Sequence, residues 1–189
     1  MSAVVMIAVQ RLRERRIELD DGLTDAEIDA VQHRLGFVFG PEHRDLLQEA
    51  LPVGDGWPDW RRDDDTDLRR RLDWPVEGIV GHVRAGHFWP DSWGSRPVEV
   101  AQAERVARGR LALLPSLVPV YGHRYLVADA AYVPSPVFSV YGSDVIVFGD
   151  DLLDYVAREH HVPPRHESPH RTHVPFWSDL AMGADDDEL

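Results

Sequence analysis

The chain has 189 residues, 43% of them apolar, so it is long and hydrophobic enough to form one domain with a buried core. Its formal net charge of −13 favours solubility and is expected to repel nucleic acid and anionic membranes. The absence of cysteine excludes disulfides and thiolate-bound metal centres and is typical of a reducing cytosol. We find no targeting segment and no stretch long enough to span a bilayer, and therefore expect a cytoplasmic location.

Three helices are predicted in the first part of the chain. Residues 3–17 place apolar side chains on one face and end in arginines, as an amphipathic helix does. Thr24–Glu27 matches a capping box, in which a hydroxyl and a carboxylate satisfy backbone N–H groups at a helix start, and Gly36 is the expected helix end. Pro41 favours the first turn of a third helix, which reaches about Ala50.

The middle of the chain alternates aromatic loops with charged or apolar segments. Pro52–Trp60 and His87–Gly94 are rich in Gly, Pro and Trp, which is typical of loops. Between them, Asp63–Arg71 has the mixed charge of a solvated helix face, and a further element is expected over Trp74–Ala85. The next segment, Val98–Gly109, is predicted to be a helix. Its residues expected to face inward are Val98, Ala101 and Val106.

The second half of the chain predicts a strand meander closed by a helix. The apolar runs Val118–Val127 and Val137–Phe148 are rich in β-branched and aromatic residues, and a Gly-centred turn interrupts each run. Asp150-Asp151 then caps an amphipathic helix that extends to about Glu159. This block is the predicted structural centre of the molecule.

Residues 1–161 are expected to form a single domain, followed by a tail of different character. Residues 162–189 are rich in Pro and His and end in an acidic run, which predicts a largely extended tail with Phe176-Trp177 as its anchor. A flexible His-rich tract can bind zinc or nickel weakly without function, and no physiological metal site is expected here. The histidines concerned are His160, His161, His166, His170 and His173.

The nucleophile-elbow and phosphate-loop motifs of common enzymes are absent from the sequence. It contains no G-x-S-x-G and no Walker P-loop, and we predict a protein without enzymatic activity or a cofactor. A Ser–His–Asp triad is recognised by geometry and not by spacing, so a hydrolase with a scattered site is kept as a third hypothesis.

The two aromatic loops carry the candidate residues for binding a protein partner. Loop tryptophans offer large rigid apolar surfaces and are common interface anchors, and a neighbouring acidic run favours a basic partner. The alternative is that the loops fold back and bury the rings against the sheet. The candidates are Trp57, Trp60, Trp89 and Trp93, together with Asp63, Asp64 and Asp65.

A second group of candidates lies at the turns of the two apolar runs. If the runs form neighbouring hairpins, both turns lie at one end of the sheet and their polar side chains converge. Such a patch would hold an anionic or polar metabolite, or else an Arg–Asp pair within it simply fixes the turns. The residues concerned are Tyr121, His123, Arg124, Tyr141 and Asp144.

Leu23–Leu47 and Leu114–Glu159 resemble the SUKH superfamily, which includes fungal cell-wall-assembly regulators of the Smi/Knr type and many bacterial immunity proteins. The first stretch matches its capped acidic helix, Gly-Phe turn and Pro-initiated helix, and the second resembles actinobacterial members. The resemblance implies an α+β fold, with a largely antiparallel sheet flanked by helices, and a non-enzymatic role. Many bacterial relatives are thought to neutralise a co-encoded toxin, often a nuclease. The long aromatic segment Pro52–Arg110 departs from the shorter members of the family.

The first hypothesis is therefore a cytoplasmic immunity-type module that neutralises a cognate toxin by steric and electrostatic masking, with neither nucleic acid nor membrane as partner. The second hypothesis is a small-ligand-binding or regulatory domain with a polar pocket beside the sheet. Neither hypothesis fixes the partner's identity or the oligomeric state.

Overall fold

Helices and two antiparallel sheets form the molecule in the computed structural model, which describes residues 2–62, 65–161, 171–184 and 189. The helices are α1 Ala3–Glu14, α2 Asp25–Leu35, α3 Pro41–Glu49, α4 Thr66–Ala85, α5 Val100–Leu111, α6 Leu152–Glu159 and α7 Trp177–Ala181. The strands are β1 Leu19–Asp21, β2 Ala50–Pro52, β3 Leu117–Tyr121, β4 Arg124–Val127, β5 Val137–Tyr141 and β6 Asp144–Gly149. The predicted α+β class, with antiparallel sheets and flanking helices, is confirmed.

The larger sheet is the predicted meander, with strand order β3-β4-β5-β6 and antiparallel pairing throughout. The β3–β4 and β5–β6 turns lie at the same end of this sheet, because each strand reverses the direction of the one before it. Gly122 and Gly142 adopt φ values of 52° and 64° in these turns. A left-handed backbone of this kind favours glycine, which explains why each apolar run is interrupted at that point.

Both faces of the meander are buried, as neighbouring residues of β4 show. Tyr125 and Val127 pack into one cluster with residues of α4, α5 and α7. Leu126, between them, points to the opposite face and packs with residues of α1, α3 and α6. The sheet is therefore the middle layer between two groups of helices. Among the described residues, no helix has both the length and the apolar character needed to cross a membrane.

The predicted N-terminal helices are confirmed, including the capping box of α2. Thr24 Oγ1 accepts the Glu27 N–H at 3.2 Å, and Glu27 Oε2 accepts the Thr24 N–H at 2.7 Å. The sequence did not predict the small sheet, in which Leu19–Asp21 pairs with Ala50–Pro52. Two of the three β1 residues are aspartates, which are rare in strands, so the pairing is imposed by the surrounding structure and not by local propensity.

Helix α4 is continuous where the sequence predicted a separate element starting at Trp74. Pro75 lies inside the helix and has no N–H for the carbonyl of Arg71, four residues earlier. The Tyr125 hydroxyl donates a hydrogen bond to that carbonyl at 3.0 Å. A side chain from the sheet thus replaces the missing backbone hydrogen bond, and the helix continues through the proline.

The inward face of α5 was predicted wrongly. The helix begins at Val100, and Val98 lies before it with 97% of its surface exposed. Ala101 is also exposed, and Val106 is half-buried. The close packing of α5 against α4 selects small side chains for the interface. The residues that α5 buries are Ala103, Ala107 and Leu111.

Residues 171–184 also differ from the extended tail expected over residues 162–189. Trp177–Ala181 is helical, and Val174, Phe176 and Trp177 are buried in the cluster on the α4 side of the sheet. The indole N–H of Trp177 donates to the carbonyl of Pro115 at 2.9 Å. Phe176-Trp177 is thus the anchor that the sequence indicated, but it belongs to a helix. His166 and His170 lie outside the described residues.

Candidate functional site

The loop tryptophans face the interior, in contrast to the exposed aromatic surface expected of an interface. Trp57, Trp60 and Trp93 expose only 8%, 2% and 8% of their surface. Trp89 is half-buried, and its indole N–H donates to the carbonyl of Gly94 at 2.7 Å. These loops fold back because few other residues in them can supply apolar surface to the core. The prediction of an exposed partner-binding surface is therefore corrected for Trp57, Trp60 and Trp93, which are buried anchoring residues, while Trp89 packs partly buried against the core.

Trp57 and Trp60 fix the loop formed by residues 53–62. The Trp60 ring meets that of Phe39 edge to face, with centroids 5.0 Å apart, and the Trp57 ring lies 4.9 Å from that of Tyr121. The carbonyl of Gly56 also accepts the N–H of Gly122 at 2.8 Å. The loop backbone is thus held at both the core and the β3–β4 turn.

An acidic cleft of about 520 Å³ lies between this loop, β1 and the start of α4. Exposed aspartates of the anchored loop form part of its wall, and the backbone that carries them is fixed. Its charged lining residues are Asp20, Asp55, Asp59 and Asp67, with Arg61, Arg62 and Arg71.

Several carboxylates at the acidic cleft form no direct ion pair. Within the described residues, Asp20, Asp21 and Asp55 form no salt bridge, and all three are exposed. Arg61 instead binds Glu27 at 2.8 Å. That contact, with the hydrogen bonds from Thr24, lowers the pKa of Glu27 to about 2. Arg61 is thus ion-paired at α2 and acts on Asp20 and Asp21 only at longer range, and the cleft lining keeps four carboxylates against three guanidinium groups.

Of the acidic run predicted to contact a partner, Asp65 has a structural role. It immediately precedes α4, and its carboxylate lies 2.6 Å from Arg34 Nε and 3.4 Å from an Arg69 nitrogen. These contacts join the start of α4 to α2 and leave the carboxylate largely covered. Asp63 and Asp64 lie outside the described residues.

The predicted patch at the sheet turns is only partly formed. Arg124 is directed away from Asp144: its Nε donates to Glu159 at 3.0 Å, and its guanidinium lies 3.8 Å above the Phe148 ring. It also donates to Ser139 Oγ at 2.8 Å. Arg124 was expected to pair with Asp144 and fix the turns, but its pair with Glu159 joins β4 to α6. Asp144 is exposed at the other turn.

The remaining residues of that predicted patch separate into different environments. Tyr121 packs against Trp57, and Tyr141 is 66% exposed beside Trp74, with ring centroids 5.9 Å apart. His123 lines a cavity, and its pKa is lowered by burial and by the neighbouring Arg124 charge.

This cavity, the sheet-end cleft, has a volume of about 210 Å³ and lies between α4 and the β3–β4 turn. Trp74 is 38% exposed at its edge, and its indole N–H donates to the carbonyl of Val140 at 3.2 Å. The cleft therefore presents an aromatic ring whose orientation is fixed. Its lining residues are Arg70, Arg71, Trp74, Gly122, His123 and Tyr125.

Helix α4 docks on the sheet turns through residues spaced four apart, and sequence reasoning missed this pattern. Arg70, Trp74, Gly78 and His82 share one helix face. A Cβ at Gly78 would lie 2.9 Å from the Cα of Gly142, so the helix and the β5–β6 turn meet where both residues are glycine. The four-residue spacing was the signal available in the sequence.

The charges at the sheet-end cleft leave a net positive balance. Asp67 accepts hydrogen bonds from Arg71 Nε at 2.6 Å and from Arg70. These two bonds lower the pKa of Asp67, which therefore stays ionised. One carboxylate thus faces two guanidinium groups.

A serine–histidine pair lies next to this cleft but lacks the third member of a triad. Nδ1 of His82 is 2.7 Å from Ser143 Oγ and also accepts the Ser143 N–H at 3.2 Å. No carboxylate within the described part of the chain is bonded to His82. The pair fixes the β5–β6 turn to α4. Over those same residues, no group of three His, Asp or Glu side chains is arranged to hold a metal ion.

Comparison with family models, with curated proteins and with solved structures finds no match for this chain. The likeness of residues 23–47 and 114–159 to the SUKH superfamily therefore stays a prediction from the sequence.

Proposed function

We propose that this chain is a cytoplasmic, non-enzymatic protein-binding module of the immunity type, which neutralises a basic toxin by docking it against the acidic cleft. The observation that supports this function is the anchored acidic loop. Trp57 and Trp60 hold its backbone from inside, while Asp55 and Asp59 remain exposed. The SUKH resemblance adds the expectation that the partner is a co-encoded toxin.

Charge and rigidity have separate parts in this mechanism. A net charge of −13 attracts a basic partner over distances of about 10 Å at moderate salt, which raises the association rate. The anchored loop loses little conformational freedom on binding, because its backbone is already fixed. Lysine or arginine side chains of the toxin would enter the cleft, and the surrounding contact would cover the toxin's active site.

The acidic cleft would be the centre of a larger contact. A stable protein interface buries roughly 1,600 Å² in total, which is more than one cleft provides. Exposed carboxylates of β1, including Asp21, extend the acidic surface beside the cleft. These residues would form the polar rim of the interface, where they affect association more than dissociation.

The test is capture of the partner from the native host with the tagged wild-type chain and with two variants. The cleft variant combines Asp20→Asn, Asp55→Asn and Asp59→Asn. The control variant removes the same charge elsewhere, at the exposed residues Asp91, Glu99 and Asp144. Affinity, association rate and salt dependence are then measured with the captured protein, and co-expression tests whether the chain abolishes its toxicity.

We expect a basic, toxic protein whose affinity for the cleft variant falls about tenfold or more, equivalent to about 1.4 kcal/mol or more. Most of this loss would be in the association rate, and the control variant would bind within about threefold of wild type. The proposal fails if the captured protein is not toxic, if co-expression gives no protection, or if the two variants bind equally well.

A further inference from the structure

The sheet-end cleft combines two guanidinium groups with an exposed aromatic ring, Trp74, which the acidic cleft lacks. From these features we infer that it binds a small ligand made of a flat heteroaromatic ring and a single phosphate group, of which a nucleoside monophosphate is the simplest example. This inference goes beyond the proposed function, because it assigns a second site with a different ligand class.

The cationic edge has hydrogen-bond donors to spare. Arg71 uses Nε for Asp67 and one terminal nitrogen for the carbonyl of Gly56, at 3.0 Å. Arg70 uses one terminal nitrogen for the same carboxylate. Within the described residues, the other guanidinium nitrogens of both arginines make no hydrogen bond. A guanidinium presents planar pairs of donors that match a phosphate group.

Asp67 also prepares this edge for an anion. It holds the guanidinium groups of Arg70 and Arg71 next to each other, which their mutual repulsion would otherwise oppose. Because it neutralises only one of the two charges, the cleft favours a ligand of low negative charge. Elsewhere the net charge of −13 repels a longer polyanion, so a mononucleotide fits this site and a nucleic acid strand does not.

The aromatic edge supplies a stacking surface that is already oriented. Trp74 is held by its hydrogen bond to Val140, so little rotational freedom is lost when a ring stacks on it. Tyr141 lies beside it and is exposed. Stacking of a base on an aromatic side chain contributes about 1–3 kcal/mol. Added to a weak phosphate contact, this contribution gives a measurable affinity.

The size of the cleft limits the ligand further. Its volume of about 210 Å³ is below the roughly 300 Å³ at which drug-sized pockets begin. It therefore encloses one part of the ligand, while the rest lies over the exposed Trp74 and Tyr141 rings. Gly122 lines the cleft without a side chain and leaves the backbone of the β3–β4 turn accessible.

The test is calorimetric titration of the full chain with AMP, GMP, CMP and UMP, without any protein partner. Adenosine supplies the ring alone, and inorganic phosphate supplies the anion alone. The variants are Arg70→Gln and Trp74→Phe, and Arg105→Gln on the exposed face of α5 is the matched control. The indole N–H resonance of Trp74, assigned by its loss in Trp74→Phe, reports contact at the site.

We expect at least one monophosphate to bind with a Kd below about 1 mM and to shift the Trp74 resonance. Adenosine alone and phosphate alone should bind the wild type at least about tenfold more weakly than the monophosphate does. The monophosphate should also bind Arg70→Gln at least about tenfold more weakly than the wild type, and should bind Arg105→Gln as tightly as the wild type. The inference is overturned if no monophosphate reaches that affinity, or if Arg70→Gln binds as tightly as the control. Because the titration contains no protein partner, a negative result here does not bear on the acidic-cleft proposal, which its own experiment tests.

Discussion

The loop at residues 53–62 and helix α4 both carry tryptophan, but only the helix exposes it. Trp60 is 2% exposed and Trp57 8%, whereas Trp74 is 38% exposed. A loop has no regular hydrogen-bonded structure of its own, so buried rings are what hold it in place. A helix satisfies its own backbone and buries another face, here with Ile79 and Val83, and can therefore leave one aromatic side chain at the surface.

This difference assigns different roles to residues of the same type. The buried rings act indirectly, because they determine where Asp55 and Asp59 stand in the acidic cleft. Trp74 acts directly, because its own ring lines the sheet-end cleft. Arg71 lines both cavities and donates to Gly56, so the two clefts share one wall.

The largest expected effect comes from removing a loop anchor. Trp60→Ala should lower the free energy of unfolding by about 3–5 kcal/mol, because it leaves a cavity beside Phe39 and His43. Urea denaturation measures the change. Trp74→Ala is the matched control and should cost less, about 1–2 kcal/mol, since its ring is partly solvated and it loses one hydrogen bond. Equal losses at the two positions would remove the distinction between anchoring and exposed tryptophans.

The next effect concerns the ion pair that joins β4 to α6. Arg124→Met should cost about 2 kcal/mol, because Glu159 then loses its partner in a site where the two side chains are only 13% and 17% exposed. A double-mutant cycle with Glu159→Gln measures the coupling between them by urea denaturation. Strictly additive losses would show that this pair does not hold α6 to β4.

A pH-dependent effect should mark the packing beneath the acidic loop. His43 is buried against Phe39, and burial lowers its pKa to about 3 from the ordinary 6.5. The folded state therefore disfavours the proton that the unfolded chain binds. The resulting stability is fully present above pH 6.5 and is lost as the pH falls toward 3, at up to about 1.4 kcal/mol per pH unit.

The control for this effect is His43→Leu, which has a similar volume and no titratable group. The stability difference between the two proteins, followed by urea denaturation from pH 7 to pH 4, should shift in favour of the variant as the pH falls. A difference that stays constant over this range would mean that His43 is accessible to protons in the folded state.

The sequence predicted those parts of the fold that depend on local signals. The capping box at Thr24, the glycine turns of the meander and the aspartate cap before α6 all appear where they were expected. The continuity of α4 was not predictable in this way, because it depends on a hydroxyl of Tyr125, which is 54 residues away from Arg71. The inward face of α5 also depends on a partner helix that no local pattern specifies.

The candidate sites, like the fold, were predicted correctly only where local sequence signals determine them. The two hairpin turns were correctly placed at one end of the sheet, and His123 does line a cavity there. The partner of Arg124 was predicted wrongly, because Glu159 comes from a helix later in the chain. Residue type alone could not show that the loop tryptophans are buried, since a tryptophan serves equally well as an anchor or as a contact surface.

The most direct test of this account is acrylamide quenching of tryptophan fluorescence in the wild type and in Trp74→Phe. If the aromatic loops face inward, the variant loses most of the readily quenched emission, and the remainder comes largely from the half-buried Trp89. If quenching is unchanged in the variant, the loop rings face water. The assignment of Trp57 and Trp60 as internal anchors of the acidic cleft would then be wrong.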